Sequence, residues 1–130
     1  MKSKIPDGWK AYSNMGRRVP LTRFICFKAP LDRQNSTFST KDLLNYCPSL
    51  GMVIDLTNTN KYYKPDTLAD MNIEYRKIFT QGRGVIPNKK ILEIFFDATN
   101  RFLETNRDND KLVGVHCTHG LNRTGYLVCR

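Results

Sequence analysis

Two residue types suited to phosphate chemistry, a cysteine and an arginine, stand six positions apart in one short stretch: His116-Cys117-Thr118-His119-Gly120-Leu121-Asn122-Arg123-Thr124. A cysteine near a helix N-terminus or a cation ionises more easily than a free thiol, and its thiolate is the nucleophile. The guanidinium of Arg123 can form two parallel hydrogen bonds with phosphoryl oxygens, which a lysine cannot do. The stretch therefore predicts a cysteine nucleophile, Cys117, and a charge clamp, Arg123.

The residues between these two predict a phosphate-binding loop. The apolar run Leu112 to Val115 predicts a strand before the loop, and Gly125 to Val128 predicts the first turns of a helix after it. A strand–loop–helix of this kind directs successive backbone N–H groups into one concavity, which binds a phosphate dianion. The predicted phosphate-binding residues are Thr118, His119, Gly120, Leu121, Asn122 and Arg123.

The stretch is less compatible with an inert cysteine, a zinc site or a nucleotide-binding loop. An inert buried cysteine suits the remaining three cysteines, but it would leave the spacing of Cys117, Arg123 and Thr124 as coincidence. A zinc site would crowd Cys117 and its two neighbouring histidines into four residues, and the sequence offers no second Cys/His pair. The segment Gly120 to Gly125 lacks the Gly-Lys-Ser/Thr ending of a nucleotide-binding loop. No metal or cofactor is predicted.

The elements that must position the loop alternate between strands and helices. Strands are predicted at residues 23–28, 52–56, 74–79 and 111–115. A short helix capped by Ser39 or Thr40 is predicted to end near Asn45. The clearest helix spans Lys89 to Glu104 behind a cap at Asn88, because its apolar residues recur at spacings of three and four. This alternation predicts an α/β fold with a largely parallel sheet, in which ligands bind at the carboxyl ends of strands.

Composition predicts one intracellular catalytic domain over residues 1–130. Four cysteines without paired spacing suit a reducing compartment, and no apolar run has the length of a membrane span. A net charge of +9 favours a polyanionic partner. The helix expected before Arg130 is too short to be stable alone, so we expect that the helices supporting the loop are missing from a truncated chain.

Three blocks of the sequence resemble one family. Residues 114–126, the block Ile54-Asp55-Leu56-Thr57-Asn58-Thr59 and the segment from Trp9 to Lys28 are similar to the RNA 5′-triphosphatase branch of the dual-specificity cysteine phosphatases. That branch includes capping-enzyme triphosphatase domains, baculoviral phosphatases and ribonucleoprotein-interacting phosphatases. The resemblance covers nearly the whole chain. It implies a cysteine-phosphatase sandwich with a central, largely parallel sheet flanked by helices.

The resemblance also assigns roles to the loop residues. Cys117 would attack the terminal phosphorus, while Arg123 and the loop amides hold the equatorial oxygens. Thr124 would donate its hydroxyl to the thiolate, although it could equally cap the following helix. His116 is expected to orient the loop by hydrogen bonding rather than to transfer protons.

Outside the loop, one catalytic candidate and one set of RNA-contact candidates each allow two roles. Asp55, which closes a predicted central strand, is a catalytic candidate that could orient Arg123, donate a proton or position water. It could equally bond to the backbone of a turn. The RNA-contact candidates could bind phosphates and stack on a terminal base, or one tyrosine could pack in the core with the lysines in solvent. These candidates are Lys61, Tyr62, Tyr63 and Lys64.

The loop at residues 79–87 contains no Asp, Glu or His. Phosphatases that act on tyrosine or serine esters usually need an Asp there as a general acid. A phosphoanhydride has a much less basic leaving group, so positioning and charge neutralisation can suffice. The absence of an acidic residue or histidine from residues 79–87 therefore favours a 5′-triphosphate or 5′-diphosphate end as substrate.

These inferences predict a metal-independent RNA 5′-polyphosphatase that removes the γ and then the β phosphate through a cysteinyl-phosphate. The alternatives are a capping-type triphosphatase that removes the γ phosphate alone, a protein tyrosine or serine phosphatase, and a non-catalytic RNA-end-binding fragment. The expected partners are RNA 5′ ends and ribonucleoprotein complexes, with no membrane. By resemblance we expect a nuclear monomer.

Overall fold

The computed structural model describes residues 15–18, 22–32, 36–57, 62–78 and 89–117. Their elements, in chain order, are β1 (Met15–Arg18), β2 (Phe24–Lys28), α1 (Thr40–Tyr46), β3 (Leu50–Asp55), α2 (Asp66–Ala69), β4 (Glu74–Lys77), α3 (Lys89–Thr105) and β5 (Leu112–Cys117). The strands form one sheet in the order β1-β2-β5-β3-β4. β2, β5, β3 and β4 are parallel, and β1 pairs antiparallel with β2. The predicted α/β fold with a largely parallel sheet is confirmed.

The two central strands are covered on both sides, since every residue of β3 and β5 is buried. On one side the core includes Leu43 of α1 and Leu68 of α2. On the other it includes Phe95 and Phe102 of α3. We call these sides of the sheet the α1 face and the α3 face. Burial on both faces explains why these strands are nearly continuous apolar runs.

Gly114 of β5 lies close against side chains of both neighbouring strands. A Cβ added there would stand 2.5 Å from a ring carbon of Phe27 and 2.8 Å from a methyl carbon of Leu50. Neither ring nor methyl has room to move, because both side chains are buried in the α1-face core. The glycine therefore lets the neighbouring side chains of β2 and β3 close over the strand that carries Cys117.

The predicted helices are present with small shifts. Ser39 caps α1 through a capping box in which its hydroxyl accepts from the Asp42 N–H and the Asp42 carboxylate accepts from the Ser39 N–H. α3 follows the predicted span and ends one residue later, at Thr105. The predicted cap at Asn88 lies outside the described residues. No helix in the described part of the chain is long and apolar enough to cross a membrane.

Two short elements were not predicted from the sequence, namely β1 and α2. β1 has four residues and two of them are arginines, so it lacks the alternation that marks a strand. α2 has four residues and begins after Pro65 without a side-chain cap. Elements this short take their conformation from the sheet edge and core they join rather than from local pattern.

Arg23, just before β2, ties the sheet to the turn that leads into β5. Its side chain donates to the carbonyls of Asn106 and Lys111 and to the Asn109 amide oxygen, at 2.6–3.0 Å. Its own carbonyl accepts from the N–H of Val113 at 2.7 Å. The Arg23 guanidinium thus holds the end of α3 close to the start of β5, the strand that ends in Cys117.

We expect Arg23→Lys to lower the free energy of unfolding by about 1–2 kcal/mol, because a lysine cannot keep a fork of charged hydrogen bonds to three acceptors. Arg107→Lys is the matched control, since Arg107 is exposed in the same turn and should change stability by less than about 0.5 kcal/mol. Urea unfolding of the three proteins measures both values. Equal stability of the Arg23 variant and the control would contradict this role.

Candidate active site

Cys117 ends β5 at the carboxyl edge of the sheet, where the sequence predicts the nucleophile. It is 4% exposed and belongs to the α3-face core with Val115 and Phe95. Its Cα partner in β2 is Lys28. The rest of the predicted loop, residues 118–124 with Arg123 and Thr124, lies outside the described residues. The structure therefore locates the first residue of the predicted loop, Cys117, as a buried residue at the carboxyl end of β5.

His116 points to the opposite face and is fully buried. Its Nε2 lies 2.8 Å from the Tyr63 hydroxyl, and its ring packs against Phe27 and Tyr63 at centroid distances of 5.3 and 5.6 Å. Its Nδ1 lies near the Cys117 backbone but forms no well-aligned hydrogen bond with a described residue. Two tautomers fit this contact: a proton on Nε2 would be donated to the Tyr63 hydroxyl, and with the proton on Nδ1 the hydroxyl would donate to Nε2.

Burial lowers the pKa of His116, although the Asp55 carboxylate and the Cys117 backbone oppose the shift. We take the imidazole to be neutral at pH 7, because it is fully buried and burial holds its pKa below the ordinary value. A neutral, enclosed ring suits the predicted positioning role. It is poorly suited to exchanging protons with substrate.

Asp55, the last residue of β3, accepts four hydrogen bonds or ion-pair contacts. Its Oδ1 accepts from the Thr57 N–H at 2.9 Å, from the Thr57 hydroxyl at 2.6 Å and from the Lys77 ammonium at 3.1 Å. Its Oδ2 accepts from the Tyr75 hydroxyl at 2.6 Å. His116 Nε2 is farther away, at 3.8 Å. The Thr57 N–H bond is the turn contact that the sequence left open as one role of Asp55.

Burial acts to raise the pKa of Asp55, but the combined effect of His116 and the hydrogen bonds from Thr57 and Tyr75 holds it below the ordinary value. Among the groups that lower the pKa of Asp55, His116 has the largest effect, and the hydrogen bonds from Thr57 and Tyr75 add to it. A carboxyl with four donors and a lowered pKa is ionised at neutral pH. Of the possible roles, direct proton donation therefore has the least chemical support.

Thr57, Tyr75 and Lys77 extend this network, and sequence reasoning did not single them out. Lys77 also donates to the Thr57 hydroxyl at 2.6 Å, so the three side chains enclose the carboxylate from two strands. The sequence contains only a weak indication of this network, namely that Thr57 stands two residues after Asp55, the spacing of an Asx turn. Tyr75 and Lys77 alternate along β4 and therefore share a face, but their meeting with Asp55 depends on sheet register.

The structure separates the four RNA-contact candidates. Tyr63 is 8% exposed and hydrogen-bonded to His116, which places it in the core and leaves no ring face for a base. Core packing, one of the two roles that the sequence allowed for a tyrosine here, is therefore the role of Tyr63. Tyr62 is half-buried against the α1-face core, Lys64 is exposed, and Lys61 lies outside the described residues. No cluster of metal-ligating side chains occurs in the described ranges.

A parallel sheet that ends a buried central strand in Cys117, with a buried histidine before it, agrees with the cysteine-phosphatase class predicted from the sequence. Residues 35–130 match the model described as the dual specificity phosphatase catalytic domain. The chain belongs to that family. The family resemblance predicted from the loop is confirmed.

The relatives agree with this assignment. The chain is 50% identical to the human RNA/RNP complex-1-interacting phosphatase over 137 residues, covering 97% of this chain and 41% of the human protein. It is 37% identical to a tyrosine-protein phosphatase of Autographa californica nuclear polyhedrosis virus, covering 97% of this chain and 78% of the viral protein. The chain thus spans about two fifths of the length of its human relative.

The fold itself resembles solved phosphatase structures. A mutant form of Tk-PTP superposes with a TM-score of 0.61 at 20% sequence identity, covering 83% of this chain and 64% of that one. At this identity the likeness concerns the fold. It agrees with the predicted cysteine-phosphatase sandwich around a largely parallel sheet.

We expect Asp55→Asn to lower stability by about 3 kcal/mol at pH 7, because the change leaves the nearly buried Lys77 ammonium without its counter-charge. The folded-state pKa of Asp55 lies below the unfolded value of about 3.9, so the carboxylate stabilises the fold above that pH. Its contribution is lost as the pH falls through the folded-state pKa. The gap between wild type and variant should persist down to about pH 5 and shrink below about pH 4.

Urea unfolding across this pH range tests the expectation. Asp70→Asn serves as the control, because Asp70 is exposed and its substitution should cost less than about 0.5 kcal/mol. A gap that is already closed at pH 6, or no gap at all, would show that the ionised Asp55 network does not stabilise the fold.

Proposed function

We propose that this chain is the catalytic domain of a metal-independent RNA 5′-polyphosphatase, which removes the γ and then the β phosphate. The observation that carries the proposal is the position of Cys117. It stands at the carboxyl end of a buried central strand, as the first residue of a sequence that supplies both phosphate-binding amides and Arg123. The similarity to a phosphatase named for RNA/RNP interaction supports RNA as the substrate class.

The proposed reaction has two steps for each phosphate. The Cys117 thiolate attacks the terminal phosphorus, an S–P bond forms, and the P–O bond to the next phosphate breaks, releasing RNA with one phosphate fewer. Water then attacks the cysteinyl-phosphate, the S–P bond breaks, and inorganic phosphate leaves while the thiolate is restored. Arg123 and the loop amides would stabilise the charge on the equatorial oxygens in both steps.

The described carboxylate nearest this site supports a phosphoanhydride substrate. The Asp55 carboxylate is ionised and already has four hydrogen-bond or ion-pair donors around it. The segment of residues 79–87 contains no Asp, Glu or His. An ester oxygen would leave poorly without a proton donor, whereas a phosphate leaving group needs little help. The chemistry therefore favours triphosphate and diphosphate ends over phosphoprotein.

A cationic groove supports binding of an RNA chain beyond its 5′ end. It lies between β4 and α3 and has a volume of about 240 Å³. Arg76, Lys77 and Arg101 line it together with apolar side chains. Asp97 in the lining and Glu74, which forms an ion pair with Arg76 at 3.1 Å, offset part of the charge. β4 stands two strands from β5, about 10 Å away. A phosphodiester a nucleotide or two beyond the reacting phosphate would reach it.

Two further activities stay open to experiment. The viral relative is named as a tyrosine-protein phosphatase, so phosphotyrosine is the substrate of the second candidate function. A capping-type enzyme would stop after the γ phosphate. The expected association with ribonucleoprotein complexes, the nuclear localisation and the monomeric state extend the proposal and rest on the family resemblance.

We expect the chain to release phosphate from both γ- and β-labelled triphosphate RNA with EDTA present. Cys117→Ser should abolish both releases, because serine lacks a thiolate to form the phosphoenzyme. A denatured sample of the reaction should carry label on wild-type protein and none on the variant. Phosphotyrosine peptide serves as the comparison substrate.

Each outcome of that assay is informative. Loss of the γ label alone indicates the capping-type reaction. Turnover of phosphotyrosine in preference to RNA supports the protein phosphatase. RNA that binds a folded chain without any release indicates an RNA-end-binding fragment.

We expect Arg101→Gln to raise KM for a 5′-triphosphate decanucleotide several-fold and to reduce the salt dependence of binding by about one counterion. KM for a nucleoside triphosphate should not change, because that substrate ends before the groove. Lys41→Gln is the control, since it removes one charge from an exposed position on α1, which packs on the other face of the sheet. Equal effects of Arg101→Gln on both substrates would exclude the groove as an RNA path.

A further inference from the structure

Lys28, the last residue of β2, is the direct neighbour of Cys117 in the sheet. The two residues are Cα partners in the parallel pairing of β2 with β5, so their backbones are about 4.8 Å apart. Directly paired residues of parallel strands project to the same face. The register therefore places an ammonium-bearing side chain beside the candidate nucleophile.

The preceding pair confirms which face this is. Phe27 pairs with His116, and their rings are in contact on the α1 face. Because successive side chains alternate, Lys28 and Cys117 both project to the α3 face. Cys117 lies there in the α3-face core.

Lys28 is 2% exposed, an unusual state for a lysine, which is rarely covered so completely. The cover is shallow because Lys28 stands at the rim of the sheet, and burial lowers its pKa to some extent. A nearby anion reduces the cost of covering an ammonium. A thiolate on the adjacent strand would be such an anion, and each charge would stabilise the other.

The remaining described charges near the end of β5 lie elsewhere. Asp55, Lys77 and His116 form their network on the α1 face. On the α3 face, the other strand next to β5 continues into the apolar Leu56, and α3 contributes Phe95 and Phe102 to the same core. Arg76 is exposed on β4, two strands away. The cations of α3, among them Lys89, Lys90 and Arg101, are exposed. Lys28 is the buried cation that pairs directly with Cys117 in the sheet.

We propose that Lys28 supplies a positive charge that keeps Cys117 ionised, and so acts as an electrostatic positioning residue for the nucleophile. This rests on the proposed function in one respect, that Cys117 is the nucleophile. An opposite charge within about 4–6 Å lowers the pKa of an acid by about 1–3 units. Lys28 would thereby add to the effect of the loop amides and Arg123.

The test measures the ionisation of Cys117 directly, without RNA. The rate of Cys117 alkylation by iodoacetamide is followed by mass spectrometry from pH 5 to 10, in the full chain. Lys28→Met keeps the length of the side chain without the charge, and Lys28→Arg keeps the charge. Lys41→Met removes a lysine charge at an exposed position of α1, on the other face of the sheet.

We expect Lys28→Met to raise the pKa of Cys117 by at least about one unit, which lowers the alkylation rate about tenfold at pH values below the wild-type pKa. Lys28→Arg should restore most of the wild-type profile, and Lys41→Met should match wild type. A merely structural role for Lys28 would leave the thiol pKa in place. If Lys28→Met fails to fold, Lys28→Gln is measured in the same way.

The inference is overturned if the pKa of Cys117 is low in the wild type and equally low in the folded Lys28→Met variant. That outcome would leave the proposed function intact. A wild-type thiol that titrates near 8.5, the value of a free cysteine, would count against both.

Discussion

The burial of β5 on both faces, between two parallel strands, is the constraint on which the rest of the structure depends. A strand in this position has no solvent-facing side, so its sequence is apolar until its last two residues, His116 and Cys117. Those two side chains reach the carboxyl edge already enclosed by protein. Their environment is consequently set by neighbouring strands, and water contributes little to it.

The two faces of the sheet impose opposite environments on these adjacent residues. On the α1 face, His116 meets Tyr63 and the carboxylate network centred on Asp55, where each charge or hydroxyl has a partner. On the α3 face, Cys117 belongs to the apolar core, and its paired residue in β2 is the buried Lys28. A densely bonded polar group is rigid, while a sparsely solvated thiolate with a nearby cation is reactive. Under the proposed function, the sheet places the supporting polar network and the reacting sulfur on opposite faces of one strand.

How much could be predicted from the sequence depended on the range of the interaction concerned. The apolar periodicity of α3 and the unbroken runs of β3 and β5 are local signals, and the structure contains these elements close to the predicted limits. The position of Cys117 followed from the same local pattern. The partners of Asp55 did not, because Tyr75 and Lys77 reach it through the register between β3 and β4. Tyr63 was similarly ambiguous, since an aromatic residue in a polar stretch carries no local sign of whether it lies inside or outside the core.

The close fit around Gly114 has a consequence for how the chain can misassemble. Side chains in a strand alternate with a period of two, so a slip of β5 by one residue would exchange the faces of His116 and Cys117. Such a slip would send the sulfur into the polar network and the imidazole into the apolar layer. It would also bring the side chain of Val113 or Val115 to the position where even one added carbon meets the ring of Phe27 at 2.5 Å. Gly114 therefore helps to fix the register of β5. The native register fits around Gly114, whereas a shift by one residue would place a valine side chain there and clash with Phe27.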